Sequence, residues 1–223
     1  MIRLAVVLFC LVSATVTAEK SRWQIGGHAV AGLPQGEFRD VVPDTRWGGL
    51  GYFTRRFRET PFRFGIEVGA VVLDSATVEL DRPEVFFVRE AQLSSDMLFG
   101  HFLGRLQPVF GRFSPYVEGA IGARAFESSI TYFGCVGPCN LPTSTSQVTF
   151  SAGGGGGAAV RLRDDGEESG LSIEVRARYL FGGSTDYAPE VELPDVPELR
   201  RPSPSAHSRT DLWMLSFGLV FDF

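Results

Sequence analysis

The last twelve residues of the chain, Leu212 to Phe223, alternate with a period of two. Trp213, Leu215, Phe217, Leu219, Phe221 and Phe223 are large and apolar, while Met214, Ser216, Gly218, Val220 and Asp222 between them are mostly small or polar. Successive side chains of a strand point to opposite faces, so this pattern specifies a β-strand with one greasy face. The same period recurs upstream. In 62–72, Phe62, Phe64, Ile66, Val68, Ala70 and Val72 oppose Arg63, Gly65, Glu67 and Gly69. In 171–181, Leu171, Ile173, Val175, Ala177, Tyr179 and Phe181 oppose Ser172, Glu174, Arg176 and Arg178. In 23–33, Trp23, Ile25, Ala29 and Leu33 oppose Gln24, Gly26 and His28. A chain assembled from such segments is all-β.

Eight segments read as strands, at about 23–33, 46–56, 62–74, 92–105, 115–128, 147–162, 170–182 and 209–223. Segments 46–56 and 92–105 alternate poorly, and the pattern does not assign their faces. The connections carry as much information. Those at 57–61, 106–114 and 163–169 are short, with turn chemistry in Thr60-Pro61 and Asp164-Asp165-Gly166. Those at 34–45, 75–91, 129–146 and 183–208 are long. Short and long alternate strictly. A soluble sandwich or a lipocalin gives no reason for that alternation, and a lipocalin would bury its greasy face inside.

Met1 to Ala18 has the form of a secretory signal peptide. Arg3 supplies the charged start, Leu4 to Val12 the apolar run, and Val16-Thr17-Ala18 the small residues before the cut. The apolar run is too short for a span, which needs roughly 20 residues. Phe9 before Cys10 does not fit a lipoprotein signal, so Cys10 leaves with the leader. The mature chain, 19–223, is read as one β domain. The whole chain has 21 Lys+Arg against 26 Asp+Glu, net −5, and losing Arg3 takes it to −6. Nothing basic is clustered, which argues against nucleic acid as a partner. Gly153 to Gly157 is not a phosphate loop, because no G-x-x-x-x-G-K-[ST] is present and no helix follows. Val148 and Phe150 before it stay in phase with Ala158, Val160 and Leu162 after it. The run is therefore read as strand, its inward glycines leaving room for bulky Arg or Tyr neighbours.

A signal peptide, eight amphipathic strands, alternating short and long connections and the terminal Phe223 together resemble the small bacterial outer-membrane β-barrel superfamily. That superfamily includes the transmembrane domain of outer membrane protein A and the outer membrane protein X and W families. The resemblance covers nearly all of 23–223 and rests on pattern more than on a signature motif. It implies an eight-stranded antiparallel up-and-down transmembrane β-barrel with short periplasmic turns and long extracellular loops. It also implies a place in the bacterial outer membrane with both termini periplasmic. Outer-membrane lipid and lipopolysaccharide would surround the barrel, and the assembly machinery would read the C-terminal strand ending at Phe223. Aromatic residues near strand ends, Trp23, Trp47, Tyr116, Tyr179, Trp213 and Phe223, are expected in the membrane-interface girdles.

With the polar faces turned inward, the lumen receives Glu67, Glu118, Glu174 and Asp222, and Arg124, Arg161, Arg176 and Arg178. These are four acids and four bases, a balanced set. An eight-stranded barrel is just wide enough for side chains to fill. Desolvated charges must pair, so Arg–carboxylate networks plugging the lumen are expected. A proton or ion relay through the same residues is the functional alternative. His28 and His101 are read as hydrogen-bonded fillers of the same lumen rather than as ligands.

Cys135 and Cys139 remain after cleavage and lie in a long loop. In an oxidising envelope they are expected to form a local disulfide. A metal site would need two further ligands that the neighbourhood lacks, so no metal and no cofactor are expected. The 183–208 loop is rich in proline and acids and reads as a solvated surface. Three functions are compatible with this chain. The first is a structural or surface-interaction protein meeting a partner through its loops; the second is a narrow channel for small solutes or apolar compounds. The third is a lipid A-modifying enzyme, for which His207, Ser208 and Asp211 are the best candidates. The enzyme is disfavoured because neighbouring strand residues face opposite ways.

Overall fold

The structure is a computed structural model that describes residues 23–58, 60–79, 90–133, 143–164, 169–185 and 208–223. The expected leader 1–18, the Cys135–Cys139 bridge and His207 lie outside those residues.

The main strands are β1 (Trp23–Pro34), β2 (Arg46–Arg56), β3 (Phe62–Glu79), β4 (Glu90–Leu106), β5 (Phe113–Phe133), β6 (Thr143–Asp164), β7 (Gly170–Gly182) and β10 (Leu212–Asp222). Between the last two lie the short β8 (Ser184–Thr185) and β9 (Ser208–Arg209), which pair only with each other. The eight main strands form one closed barrel in which every chain neighbour pairs antiparallel and β1 pairs β10. At the seam, the amides and carbonyls of Trp23 and Phe223 exchange hydrogen bonds of 2.9 and 3.0 Å. Closure leaves no unpaired sheet edge. The fold expected from the sequence is the fold observed.

Two features were not legible in the pattern. The strands β3 to β6 are 18, 17, 21 and 22 residues long, where a span needs only about 9–11. The ladders run on through segments expected to be loop, as in Thr77 opposite Gln92 and Ser128 opposite Thr145. The sequence of those extensions is rich in Ser and Thr, as in 128–131 and 143–146, so backbone pairing continues where hydrophobic alternation has stopped. The connection 34–45 also holds a one-turn helix, α1 (Glu37–Val41). Its Phe38 is wholly buried and meets Phe126 edge-on, with ring centroids 6.2 Å apart.

The short connections are tight. Gly111, with φ +63°, turns the chain between β4 and β5, and Phe110 and Phe113 bridge across it. The Thr60 hydroxyl donates to the Phe57 carbonyl at 2.5 Å to close the turn between β2 and β3.

The barrel is greasy outside and filled inside. Phe102, Val148 and Trp47 are 70, 70 and 67 % exposed, and the odd residues from Trp213 to Phe223 are all exposed. A continuous apolar exterior of this size is not a surface that water tolerates. The inside is divided along its axis. Near the turns it holds charged and hydroxyl side chains. Near the long connections it holds Val30, Leu50, Val71, Met97, Phe99, Phe126, Leu180 and Leu212, all buried, with α1 and Phe38 joined to that apolar cluster.

Candidate functional site

The polar half of the lumen is one connected network, with Arg105 on β4 at its hub. Its Nε and Nη2 donate to Glu118 Oε2 at 3.2 and 2.9 Å. Its Nη1 and Nη2 donate to the two oxygens of Glu174 at 3.0 and 3.2 Å. One guanidinium fork therefore bridges two carboxylates from β5 and β7. The guanidinium also lies between two rings, its carbon 3.9 Å from the centroid of Tyr116 and 4.8 Å from that of Tyr52. The hydroxyls of Tyr52 and Tyr116 donate to Glu174 at 2.8 and 2.7 Å.

Glu67 on β3 is the second node. It accepts from Arg176 Nη1 at 2.8 Å and closely from Arg178 Nη2. Arg176 Nη1 also reaches Glu118 at 3.3 Å, which joins the two nodes. The Nδ1 of His101 lies 3.2 Å from Glu67 and its Nε2 3.2 Å from the Ser151 hydroxyl. The register explains this reach. Glu67 faces His101 across β3–β4, His101 faces Gly122 across β4–β5, and Gly122 faces Ser151 across β5–β6. Gly122 has no side chain to block the imidazole. At the turn end, Asp222 accepts from Gln24 at 3.1 Å and from Arg63 at 3.4 Å. His28 sits inside, its Nε2 3.6 Å from Glu174.

Glycine makes this crowding feasible. A Cβ on Gly157 would lie 2.5 Å from the Tyr116 oxygen, and one on Gly26 would overlap the Tyr52 ring. The glycine run on β6 is thus the wall against which a lumen tyrosine rests.

Of the residues the sequence assigned to the lumen, Glu67, Glu118, Arg124, Glu174, Arg176, Arg178 and Asp222 are buried inside the barrel. Arg161 is half-buried at the inward phase near the turn end of β6. Two expectations are corrected. Tyr116 is not an interface aromatic; it is 5 % exposed and bonded within the lumen. It shares parity on β5 with Glu118 and Arg124, so whatever turns those inward turns Tyr116 inward too. Nor is the buried charged set confined to the expected residues: among the described residues Arg56, Arg63 and Arg105 are buried as well. The hub Arg105 escaped because both faces of β4 are apolar over much of its length, with Met97, Phe99 and Leu103 inside and Leu98 and Phe102 outside.

The other aromatics lie on the outer wall. Trp23 stacks on Phe53 at 5.0 Å with Arg55 over its ring, Tyr179 meets Trp213 at 5.2 Å, and Phe221 stacks on Phe223 at 5.8 Å. Trp47 is exposed. Asp211, a candidate in the enzyme reading, accepts from the Tyr179 hydroxyl at 3.2 Å and from the Gly182 amide at 3.1 Å, both bonds that tie the loop end of β7.

The chain Glu67–His101–Ser151 has the order of an acid, a base and a hydroxyl. Ser151, however, has no exposed surface, and Glu67 is already committed to two arginines. The chain serves as a fixed hydrogen-bond relay that orients the imidazole. Among the described residues no group of three or more His, Cys, Asp or Glu side chains is placed to hold a metal ion.

No protein-family model matches the chain, and no curated protein matches it. Three solved structures are similar to it in fold. Neisserial surface protein A is 8 % identical with a TM-score of 0.44, covering 90 % of this chain and 95 % of that one. Ail, the attachment invasion locus protein of Yersinia pestis, is 13 % identical with a TM-score of 0.36, covering 91 % and 97 %. The N-terminal β-barrel domain of Pseudomonas aeruginosa OprF is 12 % identical with a TM-score of 0.29, covering 92 % and 100 %.

Proposed function

We propose that this protein is an integral β-barrel of the bacterial outer membrane whose lumen is a structural plug. It serves as a structural or surface-interaction protein through the connections at its loop end. The observation that carries this reading is the enclosed Arg105 fork. Its side chain and those of Glu118 and Glu174 have no exposed surface, so the cross-section at that level is filled by a bonded network rather than by water. The apolar outer wall supports the membrane placement, since lipid is the solvent that such a wall requires. Trp23 and Phe223 pair at the end with the short turns, which supports a reading with both termini periplasmic. Phe223 then belongs to the strand that the assembly machinery reads. Lipopolysaccharide or a surface partner would meet the opposite end, where the β3–β4 and β5–β6 hairpins are longest.

Single-channel recording of the refolded protein in planar bilayers tests the plug. A flat trace at all voltages is expected, and discrete conductance steps would establish the channel reading in its place. Protease digestion of intact cells tests the orientation, since the termini should survive while the loop end is cut.

A further inference from the structure

One buried cation lies apart from the carboxylates of the network. Arg124 on β5 stands where the polar network gives way to the apolar stopper, and its side chain has no exposed surface. Its Nη1 donates to the Thr210 carbonyl at 2.5 Å, while Nε and Nη2 are buried without a hydrogen-bond partner. The charge acting on it most strongly is a second cation, Arg178, with the rim carboxylate of Asp211 weaker. Arg178 is committed to Glu67 through Nη2, and its Nη1 lies 3.6 Å from Glu118. Its Nε and Nη1 make no hydrogen bond. Glu67 and Glu118 have no capacity to spare, since each already faces two or more arginines. Beside Arg124 in register stands Thr149, and one inward position further along β6 stands the hydroxyl of Ser151.

A guanidinium does not deprotonate inside a protein. Enclosing it without a counter-charge is strongly unfavourable. We propose that Arg124 and Arg178 bind a small monovalent inorganic anion, chloride under ordinary conditions, within the barrel. The chemistry selects charge and size. The donors on offer are the guanidinium N–H groups that make no hydrogen bond, at Nε and Nη2 of Arg124 and Nε and Nη1 of Arg178. A divalent oxyanion would have to shed far more hydration to enter and would find too few donors there. The ion would be a permanent part of the fold, and the inference holds whether or not the lumen conducts.

The test uses the purified full-length barrel in detergent at fixed ionic strength, with chloride or bromide exchanged for gluconate, which is too large to enter. The thermal midpoint is expected to rise and then saturate as halide increases, because the ion binds only the folded state. Arg124→Met should abolish that rise, while Arg39→Met, on the exposed face of α1, should retain it. A midpoint indifferent to halide in the parent protein, or an equal rise in Arg124→Met, overturns the proposal. If Arg124→Met does not fold, crystals of the parent grown in bromide decide. An anomalous peak within hydrogen-bonding reach of Arg124 Nε or Nη2 supports the site, and ordinary water density there refutes it.

Discussion

Replacing Arg105 with methionine keeps most of the side-chain volume and removes the fork that bridges Glu118 and Glu174. The two carboxylates are left in different positions. Glu118 retains Arg176 at 3.3 Å and Arg178 at 3.6 Å. Glu174 loses its arginine and retains the Tyr52 and Tyr116 hydroxyls, with His28 at 3.6 Å. Removing one partner of a buried pair costs about 3–5 kcal/mol, chiefly through the charge left uncompensated. Most of that cost should therefore fall on Glu174. Arg105→Met is expected to lower the unfolding free energy by about 3–5 kcal/mol, roughly two to four orders of magnitude in the folded-to-unfolded ratio. Adding Glu174→Gln should restore a large part of it, while adding Glu118→Gln should restore little. Urea unfolding in detergent, followed by the fluorescence of Trp23, Trp47 and Trp213 and by heat-modifiable gel migration, measures the parent, the three single variants and the two double variants as two double-mutant cycles. A loss under about 1 kcal/mol for Arg105→Met, of the size found for an exposed ion pair, would refute the claim that the fork is enclosed. Equal rescue by both second mutations would refute the assignment of the stranded charge.

Three further outcomes are expected. Tyr116→Phe should cost about 1–3 kcal/mol through the hydrogen bond lost to a buried carboxylate, whereas a true interface ring such as Trp47 should accept Phe with little change in the same unfolding assay. Gly26→Ala should block assembly, because the added methyl overlaps the Tyr52 ring; the pair Gly26→Ala and Tyr52→Ala should recover heat-modifiable barrel on the gel, and failure to recover it would place the obstruction elsewhere. Phe102→Arg, in the middle of the outer wall, should cost about 2–4 kcal/mol when the protein is refolded into lipid vesicles, and a neutral result there would argue that this face does not meet hydrocarbon.

How much of the site could be read from the chain varies strand by strand. On β3 and β7 one face is wholly apolar, so parity alone places Glu67, Glu174, Arg176 and Arg178 inside. On β5, nearness to a strand end points Tyr116 to the membrane interface, but Glu118 two positions later on the same face fixes its direction inward. On β4, parity carried no signal, because the inward face turns from Arg105 and His101 to Phe99 and Met97 within eight residues. The buried arginines outside the expected set lie on that one unphased strand, at Arg105, and at the strand ends, at Arg56 and Arg63.

A period of two with one greasy face, recurring between alternately short and long connections, determined on its own that the chain is all-β, and the resemblance it carries to small outer-membrane barrels implied that the strands close antiparallel with the greasy side out. Those are local facts, since each strand carries its own evidence of which way it faces. Which lumen groups meet was decided only by the tertiary structure. Arg105 and Glu174 are 69 positions apart and Arg178 and Glu67 are 111, and their meeting depends on stagger, strand tilt and the gaps left by Gly122 and Gly157. The division of the lumen into a charged lower part and an apolar upper part is likewise a property of the closed barrel. It arises because closure lays the ends of eight strands side by side, and no single strand contains it.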